Sequence, residues 1–236
     1  MNALRARVIP VAAGTAMVAL LAAGAWYGYD YATSQPIRRV VFVGDPGRIS
    51  RADLDAFAQA IEGAPSGSAS LAAVREAARR IPWVRDAAVR RRFPDAIEVS
   101  FETHEVLARW AEGGLVSTRG EVFVAEHAGF LPLFRGPVAT SPQMAEAYPA
   151  IAKALAPLAA ALVELRLSAR GAWQVVLDSG LVLELGRQDM VPRIERFAAA
   201  YPRLPAGSLE GKVVDLRYTN GFAMANAARP AKGARK

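Results

Sequence analysis

The chain of 236 residues contains no cysteine. That excludes disulfides and thiolate metal sites, so whatever folds must stand on packing alone. Only two histidines are present, His104 and His127, and neither belongs to an HxxxH or His-Asp spacing. No imidazole metal site is read from them, and both are expected as surface or internally satisfied side chains. A phosphate-cradling glycine loop is also missing: Gly44-Asp45-Pro46-Gly47 is turn chemistry, without the lysine and serine or threonine of a P-loop. Glu102 and Glu105 are the nearest approach to a glycoside-cleaving carboxylate pair, and solvent-facing glutamates near a strand end account for them without further assumption. With no convergent acid, base and nucleophile, the chain is read as not an enzyme, with no cofactor and no metal.

What is present begins with Val8 to Gly28, VIPVAAGTAMVALLAAGAWYG, a stretch without a charge. Its length matches the roughly 20 residues that cross a bilayer as a helix. Pro10, Gly14 and Gly24 are tolerated in such helices. Arg5 and Arg7 precede the run, and Trp26, Tyr27, Tyr29 and Tyr31 follow it at headgroup level. It reads as an anchor with a short cytoplasmic tail and everything else outside. A cleaved signal peptide is the rival, on the small-x-small triplet Ala23-Gly24-Ala25; against it stand the length of the run and the aromatic cluster after the cut. The net charge of +7 raises nucleic acid as a partner, but an extracytoplasmic domain meets none, and an anionic lipid surface suits surplus arginine better. Part of the surplus is an Ala/Pro/Gly-rich end with Arg229, Lys232, Arg235 and Lys236, expected to be disordered.

After a linker through Thr33-Ser34-Gln35-Pro36, IRRVVFVG reads as a strand entering a turn. Ser50 with Asp53 opens a helix striped by Leu54, Phe57, Ala58 and Ile61. Past Pro65 to Ser68 comes a second helix, striped by Leu71, Val74, Ala78 and Ile81 and stopped by Pro82. A strand from Val84 to Arg92 turns at Phe93-Pro94-Asp95 and returns as AIEVSFE, whose Ile97, Val99 and Phe101 alternate with polar residues. Three strands with both helices on one face would bury both stripes, a first small domain. From Val106 onward, LARWAE, GGLVST and EVFVA have the look of an antiparallel meander. Gly129 to Pro142 reads as a loop, after which Ser141 caps and Pro142 starts a helix to Leu158, interrupted at Pro149. VELRLS, AWQVVLD and LVLELG follow as strands, the last two joined by a hairpin at Asp178-Ser179-Gly180. A helix capped by Asp189 presents Ile194, Phe197 and Tyr201 on one face, and VVDLRYTNGFAMA closes the fold.

The stretch Val213 to Met224 carries two readings. As a terminal strand its outer edge is open to a partner's strand, with Val214, Leu216 and Tyr218 facing inward. As an ordinary edge, Asn220-Gly221 makes a hairpin turn to a short return, FAMA.

The order and spacing of IRRVVFVG, IPWVRDAAVRRRFPDAIEVSFETHEVLARW, GGLVSTRGEVF, AWQVVLDSGLVLELGR and VVDLRY resemble those of the FtsQ/DivIB family of bacterial cell division proteins. The resemblance implies an α+β chain: a cytoplasmic tail over 1–7, a transmembrane helix over 8–29, a linker over 30–36, a POTRA domain (β-α-α-β-β) over 37–104, a mainly antiparallel β domain with flanking helices over 105–226, and a basic tail over 227–236. It implies a non-enzymatic divisome scaffold of the inner membrane, periplasmic beyond its anchor and concentrated at the septum, which helps control septal peptidoglycan synthesis. FtsB and FtsL would bind the β domain, and FtsK and FtsW would meet it nearer the membrane. In the family the last strand receives a strand of FtsB, which carries over onto Tyr218, Asn220 and Gly221, with Arg217 beside them. Arg170 in LSARGAW matches an arginine that meets an acidic partner residue. Relatives place an aromatic near the end of the last strand where this chain has Ala225-Asn226, which implies a hydrophobic clamp that is either weaker there or built by Phe222. The alternative function is a signal-cleaved periplasmic POTRA chaperone or transport module.

Overall fold

The structure, a computed structural model, describes residues 17–29, 31, 36–64, 70–92, 95–205, 209 and 211–226. Residues 17–29 form a helix, α1, that leaves Met17, Val18, Leu20 and Leu21 exposed. Residues 8–16 of the expected membrane helix lie outside the described residues, and no described helix is long and apolar enough to cross a membrane. The tail 1–7, Thr33 to Gln35, Pro65 to Ser68, Phe93-Pro94 and the tail 227–236 lie outside them too. The chain divides into two compact units, Met1–Thr103 and His104–Lys236.

The first unit runs β1 (Arg39–Val43), α2 (Arg51–Ile61), α3 (Leu71–Ala78), β2 (Val84–Arg92) and β3 (Ala96–Thr103). Ser50 and Ser70 start the helices by accepting the backbone N–H of Asp53 and Ala73, which satisfies donors that a helix start leaves bare. β3 lies central, parallel to β1 and antiparallel to β2. Register sets the core. Val40 and Phe42 lie opposite Ile97 and Val99, and Ala87 and Val89 opposite Phe101 and Val99. That face packs with Phe57 and Ile61 of α2 and Val74 and Ala78 of α3. Phe42, Phe57 and Phe101 form an aromatic cluster with centroids 5.6 to 6.3 Å apart, in the favourable tilted and edge-on range.

The second unit is a nine-stranded sheet in the order β12-β11-β10-β9-β8-β7-β4-β5-β6. Its strands are β4 (Val106–Trp110), β5 (Leu115–Ser117), β6 (Val122–Phe123), β7 (Leu133–Arg135), β8 (Leu162–Leu167), β9 (Trp173–Leu177), β10 (Val182–Gly186), β11 (Lys212–Asp215) and β12 (Ala223–Asn226). Helices α4 (Ser141–Leu155) and α5 (Met190–Ala200) join one core with Leu165, Val175, Leu183 and Val214. Most neighbours are antiparallel, but β4 with β7, β7 with β8, and β10 with β11 run parallel.

Four local expectations are corrected. The loop Gly129 to Pro142 contains β7, whose buried Phe134 sits mid-sheet. Pro149 does not interrupt α4, which is continuous. Ser141 is inside that helix rather than its cap, and its buried hydroxyl donates to Gly120 O at 2.7 Å. Asp189 holds the N-cap position of α5 with left-handed backbone and no side-chain capping bond.

Candidate partner-binding edge

The closing segment does not form one strand. β11 stops at Asp215, residues 216–222 turn, and β12 returns antiparallel with Lys212 opposite Asn226 and Asp215 opposite Ala223. The hairpin reading of the sequence is the observed one, and the outermost strand is β12 rather than one terminal strand over Val213 to Met224. All four residues of β12 are exposed, and the strand is an edge of the sheet; β6 is the other. An edge strand presents unpaired backbone donors and acceptors to any extended segment that lies beside it.

The connection determines what surrounds that edge. Leu216 is buried and its N–H donates to Glu184 O, extending the bond pattern one residue past β11. Tyr218 does not follow it inward. Its side chain is 57% exposed, while its carbonyl accepts from Arg196 Nη2 of α5 at 2.8 Å. Phe222 turns the other way and meets the core edge-on at Phe197. Met224, opposite buried Val214, is 52% exposed, so the outermost strand carries a large exposed apolar side chain and the connection leading to it carries exposed Tyr218.

Strand directions gather the expected residues at one end of the sheet. β8, β10 and β11 all end there and β9 and β12 begin there. Arg170, in the β8–β9 turn, therefore shares an end with Arg217, Tyr218 and Phe222, and Asn220 and Gly221 lie in the same β11–β12 connection. Three inter-strand steps at about 4.8 Å each put the β9 and β12 starts roughly 15 Å apart. Between them lies a cleft of about 720 Å³ lined by Arg187, Arg193 and Arg217 with Gln143, Gln188 and Trp173. Gly186 closes β10 at φ +78°, and a Cβ there would stand 2.6 Å from Arg193 Nη1 and 3.1 Å from Arg217 Cγ. Glycine at that position is what leaves room for two guanidinium stems.

Arg217 is bound to Asp215 by Nε at 2.9 Å and Nη2 at 2.6 Å. These bonds hold the Asp215 carboxyl below its ordinary value and raise Arg217 above its own. The pair is a positioned fork, and Arg217 is part of the cleft's lining. Arg193 donates to Leu185 O, tying α5 to the end of β10.

A polar row crosses the sheet face away from the helices. Glu164 accepts from Arg135 Nε at 2.8 Å and Arg166 Nη2 at 2.6 Å. Arg166 Nη1 reaches Gln174 Oε1 at 2.8 Å, and Gln174 Nε2 reaches Glu184 Oε1 at 2.6 Å. The row braces β7 through β10.

Arg193 and Arg196 were not singled out in the sequence, and Phe197 was named only as part of the apolar face of its helix. Met224 only gains meaning once β12 is recognised as a separate strand. His104 and Glu102 have structural partners. His104 stacks on Phe123 at 4.1 Å with Nδ1 3.3 Å from Glu121, and Glu102 pairs with Arg85 at 2.6 Å. Among the described residues no three His, Asp or Glu are grouped to hold a metal ion.

Residues 35–102 match the family model described as POTRA domain, FtsQ-type. Residues 108–217 match the model described as Cell division protein FtsQ/DivIB, C-terminal, a match that stops short of β12. The chain is 32% identical over 214 residues to Cell division protein FtsQ of Neisseria gonorrhoeae, which covers 89% of this chain and 88% of that protein. It is 41% identical over 160 residues to Cell division protein FtsQ of Burkholderia pseudomallei, covering 64% and 63%. Its similarity to the protein of the same name from Xanthomonas campestris pv. campestris is 31% over 219 residues, covering 92% and 79%.

Proposed function

The chain belongs to the FtsQ/DivIB family of cell division proteins, and from that premise we propose that it is a non-enzymatic scaffold of the divisome that recruits partners by strand addition to β12. The observation that carries the reading is the outermost strand itself: four small or flexible exposed residues at the end of a nine-stranded sheet. Such a strand offers main-chain bonds to a partner while Tyr218 and Met224 offer apolar contact. The arginine-lined cleft at the same end suits an acidic side chain of that partner, with Arg217 in its lining and Arg170 in the adjoining β8–β9 turn as its reading groups. An FtsB segment, with FtsL beside it, is the occupant the family relationship favours, and FtsK and FtsW would meet the chain nearer the membrane.

Residues 8–29 act in this reading as a retained anchor, which puts residues 37–104 and 105–226 on the periplasmic side of the inner membrane, at the septum, where they help control peptidoglycan synthesis. The absence of charge in Val8 to Gly28 and the exposed apolar side chains of α1 support it. Replacing Tyr218 with lysine tests the interface: titration with a synthetic FtsB periplasmic segment should then show loss of binding, and unchanged affinity would remove Tyr218 from it. Intact mass of the protein extracted from membranes tests the anchor, since retention of Met1 to Ala25 is required.

A further inference from the structure

One end of the three-stranded sheet collects arginine. β1 and β3 start there and β2 ends there, because β1 is parallel to β3 and β2 antiparallel to it. Arg39 and Arg92 lie opposite the same residue, Ala96, on its two sides. Their side chains therefore leave one face of the sheet about 10 Å apart. Arg90, opposite Glu98, joins them on that face, while Arg38 and Arg91 flank them in sequence. All five are exposed, Arg39 with 72% of its side chain.

The carboxylates facing this end are fewer. Asp95 stands 3.6 Å from Arg39 Nη2, Glu98 lies in β3, and Glu62 ends α2. α2 reaches this end because Gly63 N–H donates to Ile37 O and Ile37 N–H to Ala64 O. Among the described residues, five guanidiniums thus face three carboxylates, at the place where the chain enters the unit from α1. Residues 30–38 join α1 to β1, and even fully extended they span no more than about 32 Å.

We propose that this arginine end docks on anionic phospholipid headgroups of the membrane that holds the chain, so that the first unit lies on the bilayer surface instead of swinging on its linker. The proposal rests on residues 8–29 being a retained anchor. Basic clusters beside a membrane span are drawn to anionic lipid, and the attraction decays within a Debye length of roughly 8 Å at physiological salt. Arginine suits the task further because its planar fork bonds phosphate oxygens in pairs.

The lack of cysteine makes the test simple, since Ala88→Cys in β2 creates a unique labelling site on the same face as Arg90 and Arg92. The full chain with a donor dye at that site is placed in nanodiscs carrying an acceptor on the lipid headgroups. One set contains phosphatidylcholine alone, the other phosphatidylcholine with phosphatidylglycerol. Energy transfer should be higher in the anionic discs. The excess should vanish in high salt and in the triple variant Arg90→Gln, Arg91→Gln, Arg92→Gln, and should survive in the corresponding triple lysine variant. Arg38→Gln with Arg39→Gln provides a second neutralisation outside β2, and circular dichroism checks folding of each. Equal transfer in the two lipids, or an excess that the neutralised variants retain, overturns the proposal and leaves the patch to an acidic protein. A chain recovered free of discs contradicts the anchor, and the proposal falls with it.

Discussion

Phe222 meets Phe197 edge to face, with ring centroids 5.3 Å apart and planes at 88°. Phe197 is wholly buried in α5, so this contact pins the start of β12 to the core while Tyr218, four residues earlier, stays outside. The connection therefore divides its two aromatics between holding the edge strand in place and facing solvent. An aromatic near the end of the last strand is not replaced by Phe222 on the outer surface, because Phe222 is spent inward.

Phe222→Ala should consequently act through the fold. Removing a half-buried ring is expected to cost about 1–3 kcal/mol, below the range for fully buried phenylalanine. Thermal unfolding should show the loss, and hydrogen exchange should show faster opening of Ala223 to Asn226 than of β10. Phe222→Leu should fall between.

Gly120 supplies a second stability test. It holds φ +80°, and a Cβ there would stand 2.2 Å from Pro142 Cα and 2.8 Å from Pro142 N, both backbone atoms that cannot swing away. Gly120→Ala should destabilise by about 2 kcal/mol or more, from strain and overlap together. Ser141→Ala removes only the bond to Gly120 O and should cost about 1 kcal/mol. Chemical denaturation of both variants checks the order.

The polar row predicts a pH dependence. Bonds from Arg166, then Arg135, hold the Glu164 carboxyl below its ordinary value of 4.5. A depressed carboxylate contributes stability that is present above the unfolded value and is lost as pH falls through the folded one. Glu164→Gln should therefore cost about 1–2 kcal/mol near neutral pH. The gap from wild type should close below pH 4.5, as the native carboxylate protonates. Urea titrations across that range measure it.

The elements that local pattern predicts are those with long, uniform signals. Val84 to Arg92 appears as a nine-residue strand because it is bounded by Pro82 and a turn. The paired helices follow from serine caps and apolar stripes. β7 was hidden because three residues among prolines and glycines carry no period, and only burial of Phe134 between β4 and β8 makes them a strand. Ser141 has the chemistry of a cap, but a distant carbonyl, Gly120 O, claims its hydroxyl. The same limit applies at the binding edge. Val214, Leu216 and Tyr218 alternate on paper, yet the strand ends at Asp215, where Arg217 folds back on the carboxylate and Arg196 takes the Tyr218 carbonyl. Tertiary partners, absent from any local window, decided which residue faced out.

Tyr218 and Arg217 should separate stability from binding. Tyr218→Lys changes a side chain that is mostly in solvent, and its carbonyl bond to Arg196 does not depend on the side chain. Its melting temperature should match wild type within the shift expected of a surface substitution, about 0.5 kcal/mol in stability. Arg217→Ala should leave the fold nearly as stable and weaken binding in a salt-dependent way, because the cleft loses one of its cations.

Hydrogen exchange of the full chain with and without the FtsB periplasmic segment reads strand addition most directly. New main-chain bonds should slow exchange within Ala223 to Asn226, while β6, the opposite edge, keeps its free rate. Unchanged exchange in β12 under conditions where the segment is bound, with protection appearing elsewhere, would contradict the account.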